Sequence, residues 1–246
     1  MEKLIKDLHG HSNSRIMLIS DGKNHFVRKM FNVDRNLERM QALSTIIKMP
    51  KIIDSSTDCI DMEYIKGLDI CNFLLYNKPD KLIEFIIDTL DKFSDDSIIK
   101  DYTEIYYDKL SQIDFQYFPF TLEELLDRLP KEVPQSLYHG DFTLDNIIYK
   151  EDEDTFYMID PLTSEYDSYV FDIAKLNQDL ICGWFNRNIK VNLGTKMKII
   201  HEAISYKYDC AKYNIFTIIM LLRVFPYCRT KHDQSFIINN VRSLWI

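Results

Sequence analysis

A polar spacing wrapped around a short hairpin is what most constrains this chain. It reads Tyr138-His139-Gly140-Asp141-Phe142-Thr143-Leu144-Asp145-Asn146, and later Met158-Ile159-Asp160. Strand signals at 146–149 and 156–159 flank an acidic turn, Lys150-Glu151-Asp152-Glu153-Asp154-Thr155. Antiparallel pairing brings Asn146, at the start of one strand, and Asp160, at the end of its partner, to the same rim. Two side-chain oxygens on one rim can share a divalent cation. Asp141 lies in the loop just before, where a carboxylate can take the proton of an attacking hydroxyl. An isolated His-Gly-Asp is an ordinary turn. With an asparagine at the fifth position and an aspartate closing an apolar strand, the set points to phosphoryl transfer onto a hydroxyl. His139 is expected to hold the turn through the backbone rather than to take part in chemistry.

Composition narrows the alternatives. A formal charge of −8 speaks against a broad nucleic-acid footprint, and an aromatic share of 13% supplies a packed core. The five cysteines are scattered without a CxxC pair, which points to neither a disulfide framework nor a zinc site and suits a reducing cytoplasm. The N-terminal residues lack a signal-peptide core, and no membrane span is expected. The most apolar stretch, Ile215 to Leu222, falls well short of the roughly 20 residues a span needs, so it reads as a buried helix.

The chain changes character near residue 66. Strand signals at 15–20 and 25–31 flank a turn at Asp21-Gly22-Lys23-Asn24. A helix capped by Asp34 presents Leu37, Met40, Leu43 and Ile47, and two short strands follow near 51–54 and 59–64. Beyond Gly67 the expected elements are mainly helices: one from Pro79 through Phe93, one after the capping box Thr121/Glu124, then 168–182, 195–211, 212–225 and 233–244. The hairpin at 146–159 holds the only strand signals there. The expectation is an α+β, bilobal chain, with a small β-rich lobe at 1–66 and a larger helical lobe at 67–246.

His-Gly-Asp-x-x-x-x-Asn, then Ile159-Asp160-Pro161, then Asp172-Ile173-Ala174-Lys175-Leu176 on a helix resembles the aminoglycoside phosphotransferase and choline kinase-like family. The likeness runs over about residues 8 to 185. It implies a protein kinase-like fold, ATP or GTP as donor, and magnesium. It also implies Asp141 as catalytic base, Asn146 and Asp160 as metal ligands, and a structural Asp172. In such folds a strand lysine binds the donor phosphates and pairs with a helix glutamate. Lys29 and Glu38 match those positions, with Arg28 solvated on the opposite face. Ser12 and Asn13, beside Gly10, stand where a phosphate-covering turn belongs, although no G-x-G-x-x-G is present. Met62 to Gly67 resembles the family's hinge, with the backbone of Glu63 and Ile65 meeting the purine edge.

Proline at 161, in place of the Phe of Asp-Phe-Gly, and the lack of an Ala-Pro-Glu segment favour a small acceptor over a protein. The family builds its acceptor pocket from later helices, where Asp179, Trp184, Glu202, Tyr206 and Tyr208 are the candidates. The expected partners are a nucleoside triphosphate and a small hydroxyl-bearing molecule: a sugar, an amino alcohol or an aminoglycoside. The rival reading is a non-catalytic nucleotide-binding scaffold on the same fold.

Overall fold

The structure, a computed structural model, describes residues 2–8, 15–30, 34–95, 97–188 and 190–245, the side chains of residues 34 and 35 excepted. Ser12 and Asn13 lie outside the described residues. The chain divides into two compact units, one formed by 1–73 with 145–163, the other by 74–144 with 164–246. The hairpin thus groups with the N-terminal unit, although the sequence reading placed it in the helical lobe.

The first unit is built on β1 (Lys3–Leu8), β2 (Arg15–Ser20), β3 (His25–Met30), β4 (Ile52–Ser55) and β5 (Cys59–Glu63), antiparallel in the order β1-β2-β3-β5-β4. Between β3 and β4 runs α1 (Asp34–Ser44), whose Met40 and Leu43 are buried. Arg28 is not solvated as expected. It faces its cross-strand partner Asp61 through two bonds of 2.6 and 2.7 Å, with Glu2 on its other side. Opposite charges directly across an antiparallel pair hold each other.

A second sheet joins β6 (Leu68–Asp69) to the hairpin β9 (Ile147–Lys150) and β10 (Thr155–Met158), in the order β10-β9-β6. Phe73, Tyr149 and Phe156 form a triangle with ring centroids 4.7–5.0 Å apart. Gly67 makes this sheet possible. A Cβ there would sit 2.3 Å from the Tyr149 carbonyl oxygen, so only glycine lets β6 approach β9. Asp69 then caps α2 (Ile70–Tyr76) by accepting from the Asn72 amide at 2.7 Å.

The second unit holds α3 (Asp80–Ser94), β7 (Ile98–Asp101), α4 (Thr103–Leu110), α5 (Leu122–Arg128), β8 (Glu132–Gln135), α6 (Tyr169–Leu180), α7 (Gly194–Tyr208), α8 (Asn214–Val224) and α9 (Lys231–Leu244). The capping box starts α5 as the sequence indicates, with both Thr121 and Glu124 bonds formed. One expectation fails: β7 and β8 pair antiparallel, so the hairpin does not hold the only strands after residue 67. Phe216 through Leu222 are all buried, as expected of a central helix, and no described helix is long and apolar enough to cross a membrane. Tyr102, Tyr106, Tyr166, Phe171 and Phe216 pack against one another in the core of this unit.

Every residue of α6 from Val170 to Leu180 is buried, including Asp172, Lys175, Asn177, Gln178 and Asp179. A buried charge is tolerated only when it is paired and hydrogen-bonded. The buried charges of α6 accordingly pair with the loop 139–144.

Candidate active site

In the first unit the site gathers on β3 and on the ends of the hairpin. Lys29 lies on β3 opposite Ile16 and Ile60, and is only 8% exposed. Its ammonium is held by the carboxylate of Asp160. That is not the partner expected. Glu38 is exposed on α1 and stands two residues before the buried Met40, on the opposite side of the helix.

Asp160 follows β10 with φ of +56°, a left-handed conformation uncommon outside glycine. Such a residue is held there by its surroundings at roughly 1–3 kcal/mol. One restraint is the Ile159 amide, which donates to the Asn146 carbonyl at 2.9 Å and ties the two ends of the hairpin together. Asn146 closes a 3-10 turn (Leu144–Asn146) just before β9, rather than opening the strand itself. Asn146 and Asp160 thus share a rim. Magnesium is commonly held by one or two carboxylates together with substrate phosphates and water, and an amide beside a carboxylate 42% exposed suits that donor set.

Of the expected hinge, Ile65 is buried. The Glu63 amide donates to the Lys51 carbonyl at 2.8 Å, and the Glu63 carboxylate stands 3.6 Å from the Lys150 ammonium.

In the second unit the site is the loop 139–144 and the face of α6 beneath it. Gly140 has φ of +85°, which explains the glycine of His-Gly-Asp. The backbone amides of His139 and Gly140 both donate to the buried Asp172 carboxylate, at 2.5 and 2.9 Å. Asp172 sits in the first turn of α6, where the helix dipole also favours a negative charge. Ser168 caps that turn by accepting from the Val170 amide. At the other end of the loop, the Leu144 amide donates to the Asp179 carboxylate at 2.8 Å. The loop's own turn is closed by the Thr143 amide on the Asp141 carbonyl, at 2.8 Å.

Between these anchors the ammonium of Lys175 meets the Asp141 carboxylate at 3.0 Å, and the Asp141 side chain keeps 34% of its surface exposed. Arg223, on α8, lies over the Tyr166 ring at 5.0 Å. Burial pulls its guanidinium below the usual arginine range, against the opposing pull of Tyr166, Asp141 and Asp172.

The expected acceptor residues are spread out. Asp179 is buried under the loop. Trp184 is covered by the Arg187 guanidinium at 3.5 Å and by Phe236. Glu202 is exposed beside Lys198, and Tyr206 is 95% exposed. The Tyr208 hydroxyl bonds to Asp91. Sequence reasoning passed over Lys175, although it stands inside the quoted Asp-Ile-Ala-Lys-Leu run; its spacing of three from Asp172 was the available signal.

Residues 7–195 match the model of the phosphotransferase enzyme family, and the chain belongs to that family. It is accordingly a phosphotransferase acting on hydroxyl groups. No curated protein matches the sequence. Among solved structures, choline kinase LicA from Streptococcus pneumoniae is similar at 18% identity and a TM-score of 0.62, covering 98% of this chain and 92% of that one. A thermostable mutant of the aminoglycoside phosphotransferase APH(4)-Ia, in complex with ADP and hygromycin B, is similar at 11% identity and a TM-score of 0.66, covering 97% of this chain and 92% of that one. Plasmodium vivax ethanolamine kinase is similar at 12% identity and a TM-score of 0.58, covering 100% and 82%. These likenesses show the fold: α+β and protein kinase-like, with a β-rich N-terminal part and a helical C-terminal part.

Proposed function

We propose that the chain moves the γ-phosphoryl group of ATP or GTP to a hydroxyl of a small molecule, with Asp141 as general base. The observation that carries this is the loop 139–144. Its backbone is pinned at both ends by buried carboxylates, yet it presents the Asp141 carboxylate partly to solvent. A loop held this firmly around one open carboxylate suits a proton acceptor whose aim matters.

In this reading the acceptor oxygen bonds to the γ-phosphorus as its proton passes to Asp141. The bond from that phosphorus to the bridging oxygen breaks, and its electron pair leaves with the nucleoside diphosphate. Lys29 contacts the α- and β-phosphates. Asn146 and Asp160 would hold magnesium, which when bound would neutralise charge on the phosphate oxygens. A polar hydroxyl compound is the acceptor class; sugars, amino alcohols such as choline or ethanolamine, and aminoglycosides such as hygromycin B are the candidates.

Thermal unfolding with ATP or GTP, with and without magnesium, tests the donor assignment. The parent gains stability with a nucleotide, more so with magnesium, and Asp160→Asn loses the magnesium-dependent part. No gain with either nucleotide contradicts the proposal and favours a scaffold.

A further inference from the structure

Three ionisable residues lie along one face of α6, at positions 172, 175 and 179. Spacings of three and seven on a helix put side chains on one face, one above the other. All three point to the same short loop, and each has a different target. Asp172 takes the amides of His139 and Gly140, and Asp179 takes the amide of Leu144. Lys175 takes the side chain of Asp141 instead of backbone. The outer two therefore fix where the loop runs, and the middle one acts on the carboxylate itself.

Lys175 is 8% exposed. A buried ammonium is expensive without a partner, so the site is built around the pair. Arg223 on α8 feels the charges of both Asp141 and Asp172. Asp172 is bonded to backbone, and Arg223 lies over Tyr166. Lys175 is in direct contact with the Asp141 carboxylate.

We propose that Lys175 is a positioning residue for the general base, holding the Asp141 carboxylate aimed at the acceptor hydroxyl. This rests on the assignment of Asp141 made above. A loop lysine or arginine would carry its own chain entropy into that task. An ammonium fixed on a fully buried helix does not, because packing has already ordered its stem.

The test is ADP release from magnesium ATP in the presence of choline, ethanolamine and hygromycin B. It compares the parent with Asp141→Asn, Lys175→Gln and Lys175→Arg, and the melting temperature of each is recorded. Gln keeps a donor of similar reach and removes the charge; Arg keeps the charge. The expected result is a kcat for Lys175→Gln lowered at least about tenfold, part of the roughly 10²–10⁴ that a positioned base contributes in full. Its KM for ATP stays within about threefold, because Lys175 acts on the base and not on the donor. Lys175→Arg regains most of the loss. If Asp141→Asn is inactive while Lys175→Gln keeps parental kcat, or loses only KM, the role of Lys175 is overturned and the base assignment stands. If Asp141→Asn releases ADP as fast as the parent, both fall together.

Discussion

At the residue scale, Asp172 shows how a site is held by a group that never meets substrate. Its carboxylate is buried and takes two backbone amides. Bonds to a charged acceptor are worth about 1.5–3 kcal/mol each, and an unpaired buried donor carries a further penalty. Asp172→Asn is therefore expected to lower unfolding free energy by roughly 2–4 kcal/mol, read by urea denaturation, and to slow turnover as well, because the loop loses its anchor. An unchanged midpoint in urea would show that the amides find other partners. Spacing alone singled out Asp141, Asn146 and Asp160, since the proposed base and two oxygen ligands need fixed separations along the chain. Lys175 was not legible in that way. A lysine on a helix usually faces water, and only the complete burial of α6 turns it inward. On α1 the face that packs is the one bearing Met40 and Leu43, while Glu38 is exposed.

At the element scale, the second sheet depends on one glycine. A methyl at residue 67 would meet the Tyr149 carbonyl at 2.3 Å and the Ile148 side chain at 2.8 Å. Gly67→Ala must push β6 away from β9, and overpacking of this kind costs about 1–3 kcal/mol. Loss of melting temperature together with faster amide exchange at 68, 69, 148 and 149 is the expected outcome; unaltered exchange would mean that the strand shifts without unpairing. The long helices were readable from apolar periodicity, and the start of α5 from its capping box. The β7–β8 pair was hidden because Ile98 and Ile99 are both exposed, so no alternation of burial marks the strand, and because Pro134 interrupts β8. The helices α2 and α4, of seven and eight residues, carry too few turns for a periodic signal.

At the scale of the whole molecule, stability against acid should depend on Asp167. Burial pushes its carboxyl up, but bonds from Lys100, Gln135 and Tyr102 outweigh this and hold it below the usual carboxylate range. A carboxylate whose folded value is depressed stabilises the fold above its unfolded value of about 3.9, and that contribution fades as pH falls through the folded value. Asp167→Asn should accordingly flatten the loss of stability as pH falls below about 4, while lowering stability at pH 7. Parallel stability curves for parent and variant would remove Asp167 from the account.

The division into units also explains where sequence reading stopped. Residues 145–163 are far along the chain from the first 73, yet they cluster with them, because β9 pairs with β6 rather than with any strand of the helical part. Nothing in the local pattern of a four-residue strand names its distant partner. The central claim, that Asp141 takes the acceptor's proton in a transfer from a nucleoside triphosphate, is tested most directly by phosphorus NMR. Magnesium ATP is incubated with a panel of amino alcohols, sugars and aminoglycosides and with the parent or Asp141→Asn. The account predicts a new phosphomonoester resonance, matched by ADP, from the parent with at least one acceptor. It predicts none from Asp141→Asn, which still binds ATP. Ester formed equally by both proteins, or none from the parent with any acceptor, would contradict it.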